Sequence, residues 1–96
     1  MSEGQWALEG FEEAFDLWAE QAAPDHDLRM RVLSWFFTRI EDPYAGVRRE
    51  PTFDNLWFGL VPATLRSGTV VGCSYWIFES TRVLRCDAIA TLTIPL

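Results

Sequence analysis

VVGCSYWIFESTRVLRCDAIATLTIPL, residues 70–96, decides the fold. Two apolar runs, Val70 to Phe78 and Val83 to Leu92, flank the polar break Glu79-Ser80-Thr81-Arg82. Strand-length apolar runs around a short polar break predict a β-hairpin. Its strands cover Val70–Glu79 and Arg82 to about Thr93, turning at Ser80-Thr81. With Glu79 opposite Arg82, Trp76 falls opposite Arg85 and Ser74 opposite Asp87. Cross-strand neighbours of this kind lie about 5 Å apart on one face. Val70, Trp76, Phe78, Val83, Arg85 and Asp87 then share a mixed face that meets water or a partner. Val71, Cys73, Tyr75, Ile77, Leu84, Cys86 and Ala88 share the other, which carries no formal charge and is expected to pack on helices.

Upstream, Asn55 to Val61 reads as a further strand, followed by a loop from Pro62 to Gly68. Tyr44 to Thr52, with a Gly, a Pro and Arg48-Arg49-Glu50, reads as loop. Before it the apolar period is helical. Phe11, Ala14, Phe15, Trp18, Ala19 and Ala22 fall on one face of a helix from Gly10 to Ala23. Pro24-Asp25-His26-Asp27 breaks it, and Asp25 or Asp27 caps a second helix that runs to about Glu41. Leu28, Val32, Leu33, Trp35, Phe36, Phe37 and Ile40 form its wide apolar face. Arg29, Arg31, Ser34, Thr38 and Arg39 lie on or near its polar side. Asp42-Pro43 stops it, because the residue before a proline disfavours the α region. Gln5 to Glu9 alternates between two glycines and reads as a first strand. The order β-α-α-β-β-β predicts one α+β domain over residues 1–96, with an N-terminal strand, a helical hairpin and a three-stranded antiparallel sheet.

Composition bounds the function. The 96 residues are 49% hydrophobic and 23% charged, an ordinary globular balance with room for one modest core. Five Trp and seven Phe are more than a small core hides, so some aromatics are expected at the surface. The net charge is −6, and every basic residue is arginine. An acidic chain is repelled by phosphate backbones, so nucleic-acid binding needs a local basic patch. The same charge suits a basic protein partner. No apolar run approaches the ~20 residues that span a bilayer, and the N-terminus lacks the pattern of a secretory leader. A cytoplasmic protein with reduced Cys73 and Cys86 is the expectation.

This order of elements resembles the RelE/ParE family of small toxins from bacterial toxin–antitoxin pairs. The stretches that carry the likeness are WALEGFEEAFDLWAEQ, DLRMRVLSWFFTRIEDPYAGV and the strands around LWFGLV, VVGCSYWIFE and TRVLRCDAIATL. The resemblance implies a strand, a helical hairpin ending at a "-DP", and a sheet covered by an antitoxin segment. It also implies one of two activities. RelE-branch members cleave mRNA on the ribosome with basic and tyrosyl side chains, whereas ParE-branch members inhibit DNA gyrase by binding. Cys73 and Ser74 stand where the RelE branch has an arginine, and TLTIPL carries none of that branch's C-terminal basic and tyrosine residues. These departures and the acidic charge favour a non-catalytic interaction domain, while the overall topology favours a toxin acting by binding or as a weakened ribonuclease.

Each candidate site has two readings. Arg82, Arg85, Asp87 and Trp76 can hold a phosphate or stack on a base, with Arg82 and Arg85 as the catalytic candidates. They can equally form a cation–π contact and an ion pair worth about 0.5–1 kcal/mol. Arg48, Arg49 and Arg66 either complete a nucleic-acid patch or are solvated loop charges. Arginine supplies a cation but not proton transfer, which would fall to Glu50, Asp54 or His26. His26, between two aspartates, fits a helix start; adjacent residues converge poorly on one metal ion. No metal site or cofactor is expected. Cys73 and Cys86, diagonal across the hairpin, either form a disulfide or remain small buried thiols. Trp57 and Phe58 are adjacent in a strand, so one of them is expected at the surface beside Trp76. Trp57, Trp76, Arg82, Arg85 and Asp87 are therefore the candidate partner-binding set. Three outcomes follow: a toxin-family protein held by an antitoxin, a non-catalytic interaction domain on the same fold, or a homodimer through the mixed sheet face.

Overall fold

A computed structural model describes residues 5–95. Its elements in chain order are β1 (Ala7–Glu9), α1 (Phe11–Ala22), α2 (His26–Glu41), β2 (Arg48–Arg49), β3 (Leu56–Leu60), β4 (Thr69–Phe78) and β5 (Val83–Thr93). The five strands form one mixed sheet in the order β1-β5-β4-β3-β2. All neighbours are antiparallel except β1, which runs parallel to β5. The sheet is therefore wider than the three antiparallel strands expected. β1 joins its edge, and β2 adds two residues that the loop reading of Tyr44–Thr52 did not contain. Among the described residues, no helix is long and apolar enough to cross a membrane.

The helices cover one face. α1 begins after Gly10, whose φ of +76° permits the sharp exit from β1. α2 is capped by Asp25, whose carboxylate accepts from the Leu28 amide at 2.8 Å. His26 is the exposed first residue of that helix. Phe11 and Phe15 of α1 meet Phe36 of α2 at ring separations of 5.1 and 6.3 Å. These aromatics close over Val71, Cys73, Tyr75 and Ile77 of β4 and Leu84 of β5 to make the core. Burying a large apolar side chain contributes about 1.5–3 kcal/mol each, so this layer dominates stability.

Arg39 corrects the polar-side reading of α2: it is only 4% exposed. Its guanidinium stacks on Trp35 at 4.5 Å and donates to the Ala45 carbonyl at 2.6 Å and the Tyr75 hydroxyl at 3.2 Å. The Tyr75 hydroxyl in turn donates to the Pro43 carbonyl. A buried cation is tolerated here because its N–H groups are satisfied by oxygen acceptors. The network clamps the segment after α2 onto the middle of β4.

Candidate interaction surface

The hairpin register places Trp76 opposite Arg85 and Tyr75 opposite Cys86. Beyond Tyr75 an irregularity inserts one extra residue in β5, so Ser74 faces Ala88, not Asp87 as expected. Such a bulge flips the side-chain alternation of the strand beyond it. Ala88 therefore leaves the helix side, where the sequence reading put it, and is exposed on the other face. Ile89 and Thr91 take the helix side: Ile89 packs on the core, and Thr91 accepts a hydrogen bond from the Trp18 indole at 2.9 Å. Asp87 keeps contact with Ser74 through a 3.0 Å bond donated by the serine hydroxyl.

The sheet face opposite the helices is uncovered and largely apolar. Leu56, Phe58 and Leu60 of β3, Trp76 and Phe78 of β4, and Val83 and Leu92 of β5 share it by register. Phe53 stands against Trp76 in an edge-to-face pair at 5.4 Å. Leu60 and Phe53 are 51% and 46% exposed. Gly72 sits in the middle of this face. A Cβ there would lie 2.8–2.9 Å from Leu92 and the Phe58 ring, so its absence lets those two side chains close across β4. Phe58, then, is the aromatic that shares Trp76's face.

The candidate partner-binding set divides between the two faces. Arg85 lies on the open face, over the Phe78 ring at 5.2 Å and paired with Glu9 at 2.9 Å. It turns away from Trp76, its direct opposite, toward β1. Trp57 lies on the helix side, opposite Tyr75, with Tyr44 edge-on at 5.0 Å. Tyr44 also meets Trp6 at 6.3 Å and donates its hydroxyl to Glu79. Arg82, held at a φ of +55° in the hairpin turn, covers Trp6 at 5.1 Å. Trp57 and Arg82 thus belong to a rim cluster built on Trp6, Tyr44 and Glu79, apart from Trp76, Arg85 and Asp87. Sequence reasoning missed Tyr44 and Phe53 as organisers. The signal was there: both are aromatics in the loop stretches that precede Trp57.

Of the other arginines, Arg31, Arg66 and Arg49 are held in pairings away from this surface. Arg66 donates to Asp27 at 2.8 Å, beside Arg31 at 2.9 Å on the same carboxylate oxygen. The hydrogen bond from Arg31 and the charges of Arg31 and Arg66 hold Asp27 below the usual carboxylate range. Arg49 donates to the Phe53 carbonyl at 2.6 Å. Arg48 projects from the edge strand opposite Phe58.

Local environment also tunes the phenols and one thiol. Burial and donation to Glu79 push Tyr44 up to about 12. Burial raises Tyr75, against the opposing pull of Arg39. The neighbouring Cys86 thiol and burial raise Cys73 well above an ordinary thiol. Both cysteines are free; Cys73 is buried and Cys86 half-buried. Among the described residues, no three His, Cys, Asp or Glu side chains gather as a metal site.

Among solved structures, the chain is similar to the E. coli toxin RelE in the free state, in a variant with two arginines replaced by alanine. The TM-score is 0.60 at 15% identity, covering 90% of this chain and 82% of that one. At that identity the likeness establishes a RelE-like fold. No protein-family profile and no curated protein matches the chain.

Proposed function

We propose that this chain is a RelE/ParE-type toxin-fold protein that acts by binding a protein through its open sheet face, not by cutting RNA. One observation carries the reading: the two catalytic candidates are engaged at different places. Arg85 is occupied by Glu9 and Phe78 on the open face, while Arg82 covers Trp6 on the rim of the other. Cleavage of a phosphodiester needs a cation and proton-transfer groups around one scissile phosphate. A face of Trp76, Phe53, Phe58 and Leu60 offers instead the aromatic and aliphatic contact area that marks interaction sites. An antitoxin segment is the partner expected to cover it in the cytoplasm, adding a helix or a strand. The net charge of −6 favours a basic partner and weighs against bare nucleic acid.

The test is tightly controlled induction of this chain alone in a bacterial host. The expected result is growth arrest that survives the Arg82→Ala/Arg85→Ala double variant and is lost with Trp76→Ala, with both variants folded by circular dichroism. Arrest accompanied by broken mRNA and relieved by the double variant would reverse the reading in favour of a ribonuclease. Normal growth on induction of soluble, folded protein favours the second reading, a non-catalytic interaction domain, to which the same acidic charge also points.

A further inference from the structure

The two edges of the sheet are defended unequally. β2, at one edge, is two residues long and consists of arginines, followed shortly by Pro51. Short strands, charge and proline are the devices that keep an edge from pairing. The opposite edge belongs to β1 only where it pairs with Val83, Leu84 and Arg85 of β5. Past the bulge at Asp87, Ala88 to Thr93 pairs with β4 on one side and, among the described residues, with no strand on the other. This stretch contains no charge and no proline until Pro95. The Ile94 amide points inward to the Gly68 carbonyl at 2.8 Å. Alternation along the strand therefore turns the N–H and C=O groups of Thr93, Thr91 and Ile89 outward.

We infer that a second copy of this chain occupies the edge, its β5 antiparallel to this one about a two-fold axis at Ala90. The stretch is complementary to itself in that register. Ile89 meets the partner's Thr91, two residues whose backbone groups both point outward. Ala90 meets the partner's Ala90, and Ala88 meets the partner's Leu92 on the open face. Asp87 falls opposite the partner's Thr93, so no like charges meet. A different observation points to the same place. Leu17 is 57% exposed on α1 and lies one turn from Gln21, which with Trp18 and Ala22 lines a depression against Ile89, Ala90 and Thr91. Leu17 thus sits on the flank of α1 beside the free edge, where the partner's α1 would cover it. The assembly closes at two. Joining the β5 edges makes one ten-stranded sheet whose outer edges are both the guarded β2. This goes beyond the open-face reading and does not depend on it, because edge pairing leaves that face uncovered.

The test is sedimentation equilibrium of the intact chain over a concentration series, read together with amide exchange by NMR. Wild type is expected to reach twice the 11.0 kDa chain mass. The amides of Ile89, Thr91 and Thr93 should be protected at concentrations where the dimer forms. Ala90→Lys places two cations face to face at the axis, yet it moves the overall charge of −6 toward zero. It should weaken association by at least about tenfold and release those three amides, while Leu17→Glu weakens it independently. Because Ala90 and Leu17 are both exposed, neither change should disturb the fold. A wild type still monomeric at about 1 mM overturns the inference. So does a dimer that survives Ala90→Lys.

Discussion

On the helix side of β4, Val71, Cys73, Tyr75 and Ile77 are each at most 3% exposed. Their alternates on the other side, Val70, Ser74, Trp76 and Phe78, are all half-buried. One strand thus reads as apolar on both faces, but only one face has a second layer over it. The difference teaches what the open face is. A solvated sheet face alternates with polar residues, whereas this one carries Trp, Phe and Leu and shields them sideways, Phe53 on Trp76 and Phe58 and Leu92 across Gly72. It has the composition of a core whose other half is supplied from outside.

Matched aromatic deletions test the contrast most strongly. Phe11→Ala removes a ring that is 3% exposed and touches Phe36 and Tyr75. It should lower the unfolding free energy by about 3–5 kcal/mol in urea titration. Trp76→Ala, on the open face, should cost about 1–2 kcal/mol, because solvent fills the space that the indole leaves. Equal losses would erase the distinction between the faces. The two sheet glycines give a finer comparison. A Cβ on Gly59 meets Val47 Cγ1 at 2.5 Å and Trp35 at 3.4 Å, both on the helix side. On Gly72 it meets side-chain ends that have room to swing outward. Gly59→Ala should approach about 3 kcal/mol and Gly72→Ala stay near about 1 kcal/mol. Smallest is the exposed Glu9–Arg85 pair. Glu9→Gln should change stability by less than about 1 kcal/mol and lose even that in high salt, as thermal melts at two ionic strengths will show.

Alkaline titration sharpens the comparison without mutation. The chain has two tyrosines, and both are raised from the usual phenol value, Tyr44 to about 12 and Tyr75 upward through burial. The folded protein should show no tyrosinate absorbance step near pH 10, and the unfolded protein in urea should show it there. A raised pKa favours the neutral form in the folded state. The stability that Tyr44 contributes is therefore complete below pH 10 and disappears as the pH climbs through about 12. A step at pH 10 in the native protein would mean that at least one of the two phenols is not held in the buried setting described.

Both helices, the hairpin and the pairing of Trp76 with Arg85 were legible in the sequence, because each rests on a period carried by many residues. What was not legible rests on one or two. Arg48-Arg49 is too short to show alternation. The bulge at Asp87 leaves no mark in residue type, and it alone moved Ala88 to the open face and Ile89 into the core. Arg39 read as polar because its acceptors are the Ala45 carbonyl and the Tyr75 hydroxyl, groups brought to it only by tertiary structure. The candidate site was partly legible. Its residue types were found, but their division between faces was not, since the rim cluster depends on Tyr44, Trp6 and Trp57 meeting from distant segments.

The parallel pairing of Ala7–Glu9 with Val83–Arg85 has a consequence for how the chain is made. β1 has no strand beside it until its seat on β5, 76 residues later, has been synthesised. During that interval α1 and α2 emerge with Phe11, Trp18 and Phe36 uncovered, since the strands that bury them come last. Closing so distant a contact is slow. A nascent chain stalled before residue 83 thus holds both helices and the strands through β4, but lacks β5, the strand that seats β1 and brings Leu84 to the core.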